Sequence, residues 1–269
     1  QARLNAASKE IGNLMREGKK EAAEQMKTEV ASLKASMEDL AEQNTIEASI
    51  LNILLQIPNL PSIMVPVGRT PEDNVVVRTG GDIPVLPAGS KPHWDLVNQY
   101  ALIDFELGNK ITGSGFPVYK KRGAKLQRAM IQYFLDFNTS RGYMEIQPPL
   151  LVNEASAYGT GQLPDKEGQM YHATVDNFYL IPTSEVPVTN IYRDEIIKET
   201  DLPIKMTAHS PCFRREAGSF GKDVRGLNRL HQFEKVEIVQ LVHPDKSYEV
   251  LEEMVSHVEK LVQSLGLPY

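Results

Sequence analysis

Apolar residues recur at alternating intervals of three and four along the first forty residues of the chain. They stand on both sides of Gly18, at Leu4, Ala7, Ile11, Leu14, Met26, Val30, Leu33, Met37 and Leu40. Such spacing forms one apolar stripe on a helix, which is the seam of a heptad repeat. A single helix cannot bury its own seam, and Gly18 offers a turn between two helices. The pattern therefore predicts an antiparallel helical hairpin over residues 1–57.

The remainder of the chain alternates short β-type runs with amphipathic helices. Pro58, Pro61 and Pro66 end the hairpin, and residues 58–92 are rich in Pro and Gly, with one strand-like run at 75–77. The elements predicted after this are helices over 123–140 and 247–265 and strands over 144–146, 178–181 and 236–242. Because they show no regular βαβ alternation, they favour an α+β domain with an antiparallel sheet.

The chain is acidic overall, but its N-terminal end is basic. The formal net charge of −6 argues against a protein that coats nucleic acid, because such proteins are normally basic. The first twenty residues nevertheless carry more cations than anions, and these cations are Arg3, Lys9, Arg16, Lys19 and Lys20. Charges on a helix usually form a solvated face. The alternative hypothesis is that this basic tip contacts the phosphates of one RNA.

The chain has a single cysteine, Cys212, and no recognisable targeting segment. One cysteine supports neither a disulfide framework nor a cysteine-rich zinc site. No apolar run reaches the roughly 18 residues that span a bilayer. The sequence therefore predicts a cytoplasmic protein with no membrane association and no protein-bound metal. Because the chain does not begin with Met and residues 265–269 are typical of the start of a strand, we expect it to be part of a longer gene product.

Complementary side chains stand on either side of a long polar loop. If two strands flank this loop, their ends meet and these side chains lie together. Arg214 can bind a phosphate bidentately, Phe233 can stack on a purine, and Glu216 can accept a hydrogen bond from an exocyclic amine. Arg225 and Arg229 can reach outer phosphates. The alternative is an ordinary strand pair that carries surface ion pairs.

The order and spacing of residues 213–237 resemble motif 2 of class II aminoacyl-tRNA synthetases, in the form found in the seryl-tRNA synthetase family. Residues 141–151, Arg-Gly-Tyr-Met-Glu-Ile-Gln-Pro-Pro-Leu-Leu, are similar to motif 1 of the same class. Other segments similar to this family are residues 57–61, 93–96, 160–164, 181–187 and 203–209. The resemblance covers essentially the whole chain, but no segment similar to motif 3 is present.

The resemblance implies roles for residues on and near motif 2. Serine binding is carried over to Thr183, Ser184, Glu185, Arg214 and Glu237. ATP binding is carried over to Arg214, Arg215, Glu216, Arg229 and Phe233. Arg214 would also be the catalytic residue, because it can neutralise charge that grows on the α-phosphate. The family often has serine at the position of Arg215, and alternation along a strand points that side chain away from the nucleotide.

The resemblance also implies a reaction and partners. The enzyme would activate L-serine with ATP and Mg²⁺ to seryl-adenylate and transfer the serine to tRNA(Ser), and to tRNA(Sec) if the host makes selenocysteine. Motif 1 would form a homodimer interface, and the five basic residues of the arm would contact the tRNA. Because motif 3 and the beginning of the arm are missing, we expect the 269-residue chain alone to be inactive.

The expected organisation has three parts, and two other functions compete with this interpretation. Residues 1–57 would form part of a coiled-coil arm, residues 58–100 a linker and the start of the catalytic domain, and residues 101–269 a C-terminally truncated class II catalytic domain. One alternative is a serine-activating ligase that serves a carrier protein, which the basic arm disfavours. The other is a non-catalytic synthetase-like binding module, which the complete set of ATP and serine side chains disfavours.

Three further residues are interpreted as structural. His93 and Trp94 are expected to pack the linker against the catalytic body. His231 is expected to support the second strand of motif 2.

Overall fold

The structure is a computed structural model, and it describes Ala7, Glu10, Ile11 and residues 13–16, 18–216 and 225–269, without the side chains of residues 33–41. The chain forms two compact units, residues 1–67 and 68–269. None of the helices that the described residues form combines the length and the hydrophobicity that crossing a bilayer requires.

The first unit contains a helical hairpin that turns at Gly18. The described residues from Ala7 to Arg16 are helical, and helix α1 follows over Lys20–Leu54. The N–H of Gly18, which has a φ of 75°, donates to the carbonyl of Met15 at 3.3 Å, and the N–H of Lys19 donates to Leu14 at 3.0 Å. This pair of bonds is a Schellman motif, which ends a helix and reverses the chain.

Apolar side chains of the hairpin are withdrawn from solvent along the predicted seam. Ala7 and Ala23 are buried, and the seam residues that are partly buried are Ile11, Leu14, Met26 and Val30. The predicted N-terminal helical arm is confirmed. Seam positions that lie outside the described residues or side chains are Leu4, Leu33, Met37 and Leu40.

The described part of the second unit mixes short helices with short and long strands. Its helices are α2 (His93–Gln99), α3 (Phe105–Ile111), α4 (Arg122–Thr139), α5 (Glu154–Gly159), α6 (Glu185–Asn190) and α7 (Ser247–Ser264). Its strands are β1 (Ile103–Asp104), β2 (Val118–Tyr119), β3 (Met144–Ile146), β4 (Leu151–Val152), β5 (Tyr171–Ala173), β6 (Phe178–Leu180), β7 (Ile204–Phe213) and β8 (Gln232–Leu241). Single 3-10 turns span Pro71–Asp73, Glu199–Asp201 and Pro244–Lys246.

The long strands β7 and β8 dominate the sheets. They pair antiparallel over ten residues, from Ile204 opposite Leu241 to Phe213 opposite Gln232. Strand β3 lies on the other side of β7, while β4, β6 and β5 form a second antiparallel sheet and β1 pairs with β2. These elements confirm the predicted α+β architecture.

One strand pair departs from the antiparallel sheet that the sequence predicted. Strand β3 runs parallel to β7, with Met144 opposite Met206. A parallel pair needs a long crossover connection, and residues 147–203 provide it because they contain α5, α6 and the second sheet.

The predicted helices agree with the structure, and strands are present at the predicted runs 144–146, 178–181 and 236–242, but one predicted run is not a strand. Helices α4 and α7 lie within one residue of the predicted ranges at each end. The run Val75–Val77, predicted as strand-like, is not a strand, and its side chains are exposed. Consecutive valines favour a strand only where a neighbouring strand is available for pairing, and no described residue pairs with this run.

Helices α4 and α6 cover opposite faces of the β7–β8 pair. Met206 and Ala208 point to one face, where they pack with Val188 of α6. Thr207 points to the other face, because successive side chains of a strand alternate, and there it accepts a hydrogen bond from Asn138 of α4 at 2.9 Å. The two faces of β7 are therefore both buried, and the strand lacks the polar–apolar alternation that would have predicted it.

A chain of buried hydrogen bonds connects α7, α4 and both long strands. The hydroxyl of Thr207 donates to the backbone carbonyl of Glu237 at 2.8 Å, so this hydroxyl must accept from the Asn138 amide nitrogen. The amide oxygen of Asn138 then faces Nε2 of His257 at 2.7 Å. Because that oxygen can only accept, Nε2 of His257 carries the proton.

Buried His257, at one end of these hydrogen bonds, makes the stability of the protein depend on pH. Burial, and after it the positive charges of Arg141, Lys260 and Lys205, hold the pKa of His257 below its ordinary value of 6.5. The unfolded chain therefore binds a proton at a pH at which the folded chain does not. The contribution of neutral His257 to the stability of the fold is complete above pH 6.5. It is lost as the pH falls from there through the lowered pKa of His257.

We predict that His257→Gln flattens the fall in stability below pH 6.5. The glutamine amide can still donate to Asn138 but does not titrate. The measurement is the free energy of unfolding in urea between pH 7.5 and 4.5 for both proteins. Asp104, whose pKa is lowered mainly by Lys120, affects stability only below this window. Equal slopes in the two proteins would contradict the role of His257.

Candidate active site

The β7–β8 pair places one set of side chains on a common face. Residues that lie directly opposite each other in an antiparallel pair point to the same side of the sheet. The opposed pairs on the α6 side are Ala208 with Glu237, Ser210 with Lys235 and Cys212 with Phe233. The segment that resembles motif 2 therefore presents Phe233, Lys235 and Glu237 as successive neighbours on one face of the strand pair.

A carboxylate on this face has two partners. One oxygen of Glu237 accepts a hydrogen bond from the hydroxyl of Thr183 at 2.8 Å. The same oxygen lies 2.6 Å from Nζ of Lys235. Thr183 is buried, and the side chain of Glu237 is 21% exposed. The carboxylate is therefore held by a neutral donor and a cation at the edge of solvent.

Where α6 begins, Thr183 and Ser184 are buried and Glu185 is exposed. The backbone N–H of Glu185 donates to the Thr183 hydroxyl at 3.1 Å, and the side chain of Glu185 is exposed. Ser184 is fully buried, and its hydroxyl lies 2.6 Å from that of Ser210 on β7. These three residues are adjacent in sequence, but Thr183 bonds Glu237, Ser184 bonds Ser210 in the interior, and Glu185 faces solvent.

Arg214 and Phe233 stand together where the two strands end. The guanidinium carbon of Arg214 is 5.0 Å from the centre of the Phe233 ring, a cation–π distance. The backbone N–H of Arg214 donates to the carbonyl of His231 at 2.9 Å, and that of Phe213 donates to Ile181 at 2.9 Å. The main chain of Arg214 is therefore fixed to the start of β8, and that of the preceding residue to the segment before α6.

The remaining predicted ATP residues lie just beyond the strand ends. The side chain of Glu216 is largely buried at 12% exposure, and one of its oxygens is 3.4 Å from a guanidinium nitrogen of Arg229, which is itself exposed. Arg215 is exposed, and its backbone N–H donates to Gln169 at 2.9 Å. The ion pair therefore joins the residues that follow β7 to the residues that precede β8.

His231 is held on three sides at the start of β8. Its Nδ1 lies 2.7 Å from the hydroxyl of Tyr171, and its ring stacks on Phe116 with centres 5.2 Å apart. Its backbone N–H donates to Gly115 at 2.9 Å. Burial raises the pKa of Tyr171, so this hydroxyl is neutral. His231 supports the strand, as the sequence predicted.

Several residues of this site were not identified from the sequence. Lys235 could have been found, because strand alternation puts it on the same face as Phe233 and Glu237. Tyr171 and Ser210 carry no local signal, since their partners are distant in sequence. Cys212 is buried behind the site, where burial raises the pKa of its thiol.

The predicted arm residues belong to the other unit. Arg16, Lys19 and Lys20 are exposed near the turn of the hairpin, while Arg3 and Lys9 lie outside the described residues. No cluster of three or more His, Cys, Asp or Glu side chains that could hold a metal occurs in the described part of the chain.

Comparison with known proteins identifies the family. Residues 170–269 match the family model of the tRNA synthetase class II core domain (G, H, P, S and T), and residues 1–61 match that of the seryl-tRNA synthetase N-terminal domain. A serine–tRNA ligase from Salinibacter ruber is 49% identical over 270 residues, which cover 100% of this chain and 63% of that protein. The chain belongs to the seryl-tRNA synthetase family.

Solved structures of this family have the same fold. The crystal structure of seryl-tRNA synthetase from Pyrococcus horikoshii complexed with ATP aligns with a TM-score of 0.81 and 29% identity, covering 100% of this chain and 64% of that one. Cytoplasmic serine–tRNA ligase from Naegleria fowleri in complex with AMP aligns with a TM-score of 0.80 and 30% identity, covering 100% of this chain and 63% of that one. The present chain thus spans less than two thirds of the length of these seryl-tRNA synthetases.

We predict that Ser184→Ala destabilises the fold by about 1–2 kcal/mol, because it leaves the buried Ser210 hydroxyl without its nearest partner. Thermal and urea unfolding measure the change. The control is Glu185→Gln at the exposed neighbouring position, where surface substitutions usually change stability by about 0.5 kcal/mol or less. Equal stability of Ser184→Ala and the unaltered chain would contradict this supporting role.

Proposed function

We propose that the full-length protein activates L-serine with ATP to seryl-adenylate and transfers the serine to tRNA(Ser). The observation that carries this proposal is that Glu237, bonded to Thr183, and Phe233, in cation–π contact with Arg214, lie on one face of the β7–β8 pair. The first pair suits a small polar amino acid, and the second suits a nucleotide. Their adjacency brings a carboxylate and an α-phosphate into reach of each other.

The proposed serine pocket contains Glu237, Thr183 and Glu185. The Glu237 carboxylate can accept from the ammonium group of serine, and the Thr183 hydroxyl can exchange hydrogen bonds with the substrate. Lys235 forms an ion pair with Glu237, so we propose that the substrate ammonium competes with this lysine. Ser184 would act through its bond to Ser210, by fixing the turn that presents Thr183.

The proposed nucleotide site begins at Phe233. Adenine would stack on this ring, and Arg214 would meet the α-phosphate and the serine carboxylate. Glu216 would accept from the exocyclic amine, while Arg229 would leave its ion pair with Glu216 to meet the terminal phosphate. Arg215 is the weakest member of the set carried over by resemblance, because its side chain is exposed and its backbone N–H donates to Gln169.

The first step would be attack by the serine carboxylate on the α-phosphorus, with pyrophosphate leaving. Such a reaction depends on positioning and charge stabilisation, so it requires no nucleophile from the protein. Arg214 can orient the carboxylate and stabilise the phosphate charge. We assign no protein ligand to Mg²⁺, which would arrive with the ATP phosphates. The second step would transfer serine to the 3′-hydroxyl of the terminal ribose of the tRNA.

The remaining parts of the proposal concern partners and organisation. Residues 1–57 would belong to the arm that contacts tRNA through its basic tip, residues 58–100 to the linker and residues 101–269 to the catalytic domain. A homodimer would form through motif 1, in a cytoplasmic enzyme. Serine charging of tRNA(Sec) would follow only in a host that makes selenocysteine.

We predict serine-dependent ATP–pyrophosphate exchange by the full-length protein and none by the 269-residue chain alone. Alanine should be activated roughly 10⁴-fold less efficiently than serine, because its missing hydroxyl leaves buried polar groups unpaired. Exchange is measured with serine, alanine and threonine at equal concentrations.

Each other outcome favours a different conclusion. Equal use of alanine and serine would refute the hydroxyl-based pocket. Exchange without transfer to tRNA would favour the carrier-protein ligase. No exchange by a folded full-length dimer would favour the non-catalytic binding module, and exchange by the 269-residue chain would show that its expected inactivity is wrong.

We predict that Thr183→Val raises the KM for serine by about 10- to 100-fold and leaves the KM for ATP within about twofold. The valine keeps the shape but removes the hydroxyl that bonds Glu237, a loss of roughly 1–3 kcal/mol in a buried site. The control is Thr200→Val, at an exposed threonine outside the site. A parallel rise in both KM values would show that Thr183 serves the fold and not serine specifically.

A further inference from the structure

The segment that connects β7 to β8 carries groups of the proposed ATP site, and its described residues, 214–216 and 225–231, lie outside both strands. Its beginning is tied to the sheet region by the backbone bonds of Arg214 and Arg215. Its end, residues 225–230, precedes β8 and forms bends and turns. Arg229 lies within this end, and Phe233 follows it. Phe233 is held by the β7–β8 pairing, but the position of Arg229 depends on what holds residues 225–230.

The contact that holds this end comes from a residue 134 positions earlier in the chain. The backbone N–H of Leu227 donates to Nε2 of His93 at 2.8 Å. Because an N–H can only donate, Nε2 of His93 accepts and is unprotonated, so the ring proton is on Nδ1. A single acceptor thus satisfies an amide that no strand or helix satisfies.

Two further contacts surround this hydrogen bond. Gly226 has a φ of 75°, and the His93 ring fills the space that a Cβ at this position would occupy. The guanidinium carbon of Arg225 lies 5.0 Å from the centre of the Trp94 ring, within cation–π range. Three consecutive residues of the segment are therefore bound by two consecutive residues of α2.

Helix α2 is itself anchored, so it can act as a fixed support. Val97 is buried, and its carbonyl accepts from Leu102 at 2.8 Å, while the carbonyl of Leu102 accepts from Lys120 at 2.8 Å. Val97 also lines an apolar cavity together with Leu227, Leu230 and Phe233. The same cavity is therefore lined by α2, by residues 225–230 and by Phe233, on which adenine is proposed to stack.

From these contacts we infer that His93 and Trp94 are positioning residues for ATP, acting through Arg225–Leu227. They fix the end of the segment and so place Arg229, next to the strand-held Phe233, before the nucleotide arrives. A segment ordered in advance loses less conformational entropy when the ligand binds. This inference rests on the proposed function for its kinetic consequence, but not for the existence of the contact. Loss of the contact should weaken ATP binding and leave the serine pocket unchanged.

The test combines amide exchange with kinetics in four single variants and in the double variant His93→Ala with Gly226→Ala. His93→Ala removes the acceptor, His93→Gln keeps an acceptor near the same position, and Gly226→Ala pushes the ring away from the other side. The matched control is His243→Ala, which removes a histidine that also accepts a backbone N–H, that of Asp245 at 3.3 Å, outside the proposed site. Hydrogen exchange is followed by mass spectrometry on peptides that contain Leu227, and the KM values for ATP and serine are measured by pyrophosphate exchange with the full-length protein.

We expect His93→Ala and Gly226→Ala to speed exchange at Leu227 and to raise the KM for ATP by about tenfold, the factor expected for one lost hydrogen bond. The KM for serine should stay within about twofold, and the double variant should be no worse than either single one, because both remove the same contact. His93→Gln and His243→Ala should resemble the unaltered protein.

Other results would overturn the inference. Unchanged exchange at Leu227 in His93→Ala would show that the hydrogen bond does not hold the segment. Faster exchange with an unchanged KM for ATP, or with equal rises for ATP and serine, would show a structural contact without a positioning role. If the unaltered protein shows no serine-dependent activity, the proposed function fails, and ATP affinity measured directly by calorimetry then decides the positioning role.

Discussion

The ten-residue register between β7 and β8 is the constraint on which the site depends. It puts Phe233, Lys235 and Glu237 on one face, opposite Cys212, Ser210 and Ala208. Because side chains alternate along a strand, a slip of one residue would move all of them to the face covered by α4. Every other feature of the site attaches to this pair: Thr183 through Glu237, Ile181 through Phe213, and Arg214 through His231.

Buried polar contacts hold the strand pair from both sides. On the α4 side, the bonds from His257 through Asn138 and Thr207 reach the carbonyl of Glu237. On the α6 side, Ser184 bonds Ser210. Such contacts are costly when one member is missing, because the partner remains buried and unpaired. They therefore specify one arrangement of helices on the sheet, which apolar packing alone would specify less strictly.

The sequence predicted the features that depend on local pattern or on a recognisable motif. Helices α4 and α7 have clear periodicity, and the order and spacing of the motif 2 segment were enough to single out Arg214, Glu216 and Phe233. Strands of two or three residues, such as β1 and β4, are too short to show a period. The parallel pairing of β3 with β7 depends on a long crossover and not on either strand. The contacts of His93 with Leu227 and of Tyr171 with His231 join residues 134 and 60 positions apart, and no local pattern encodes them.

Two glycines next to the site share an unusual relation to a histidine. The ring of His93 occupies the space beside Gly226 in which a side chain would begin, and the ring of His231 does the same beside Gly115. In each case the ring takes the volume in which a side chain at the glycine would begin, so the glycine cannot become larger while the imidazole stays in place. Among relatives of this chain, the two members of each pair should consequently vary together, with a larger residue in place of glycine only where the imidazole has been replaced by something smaller.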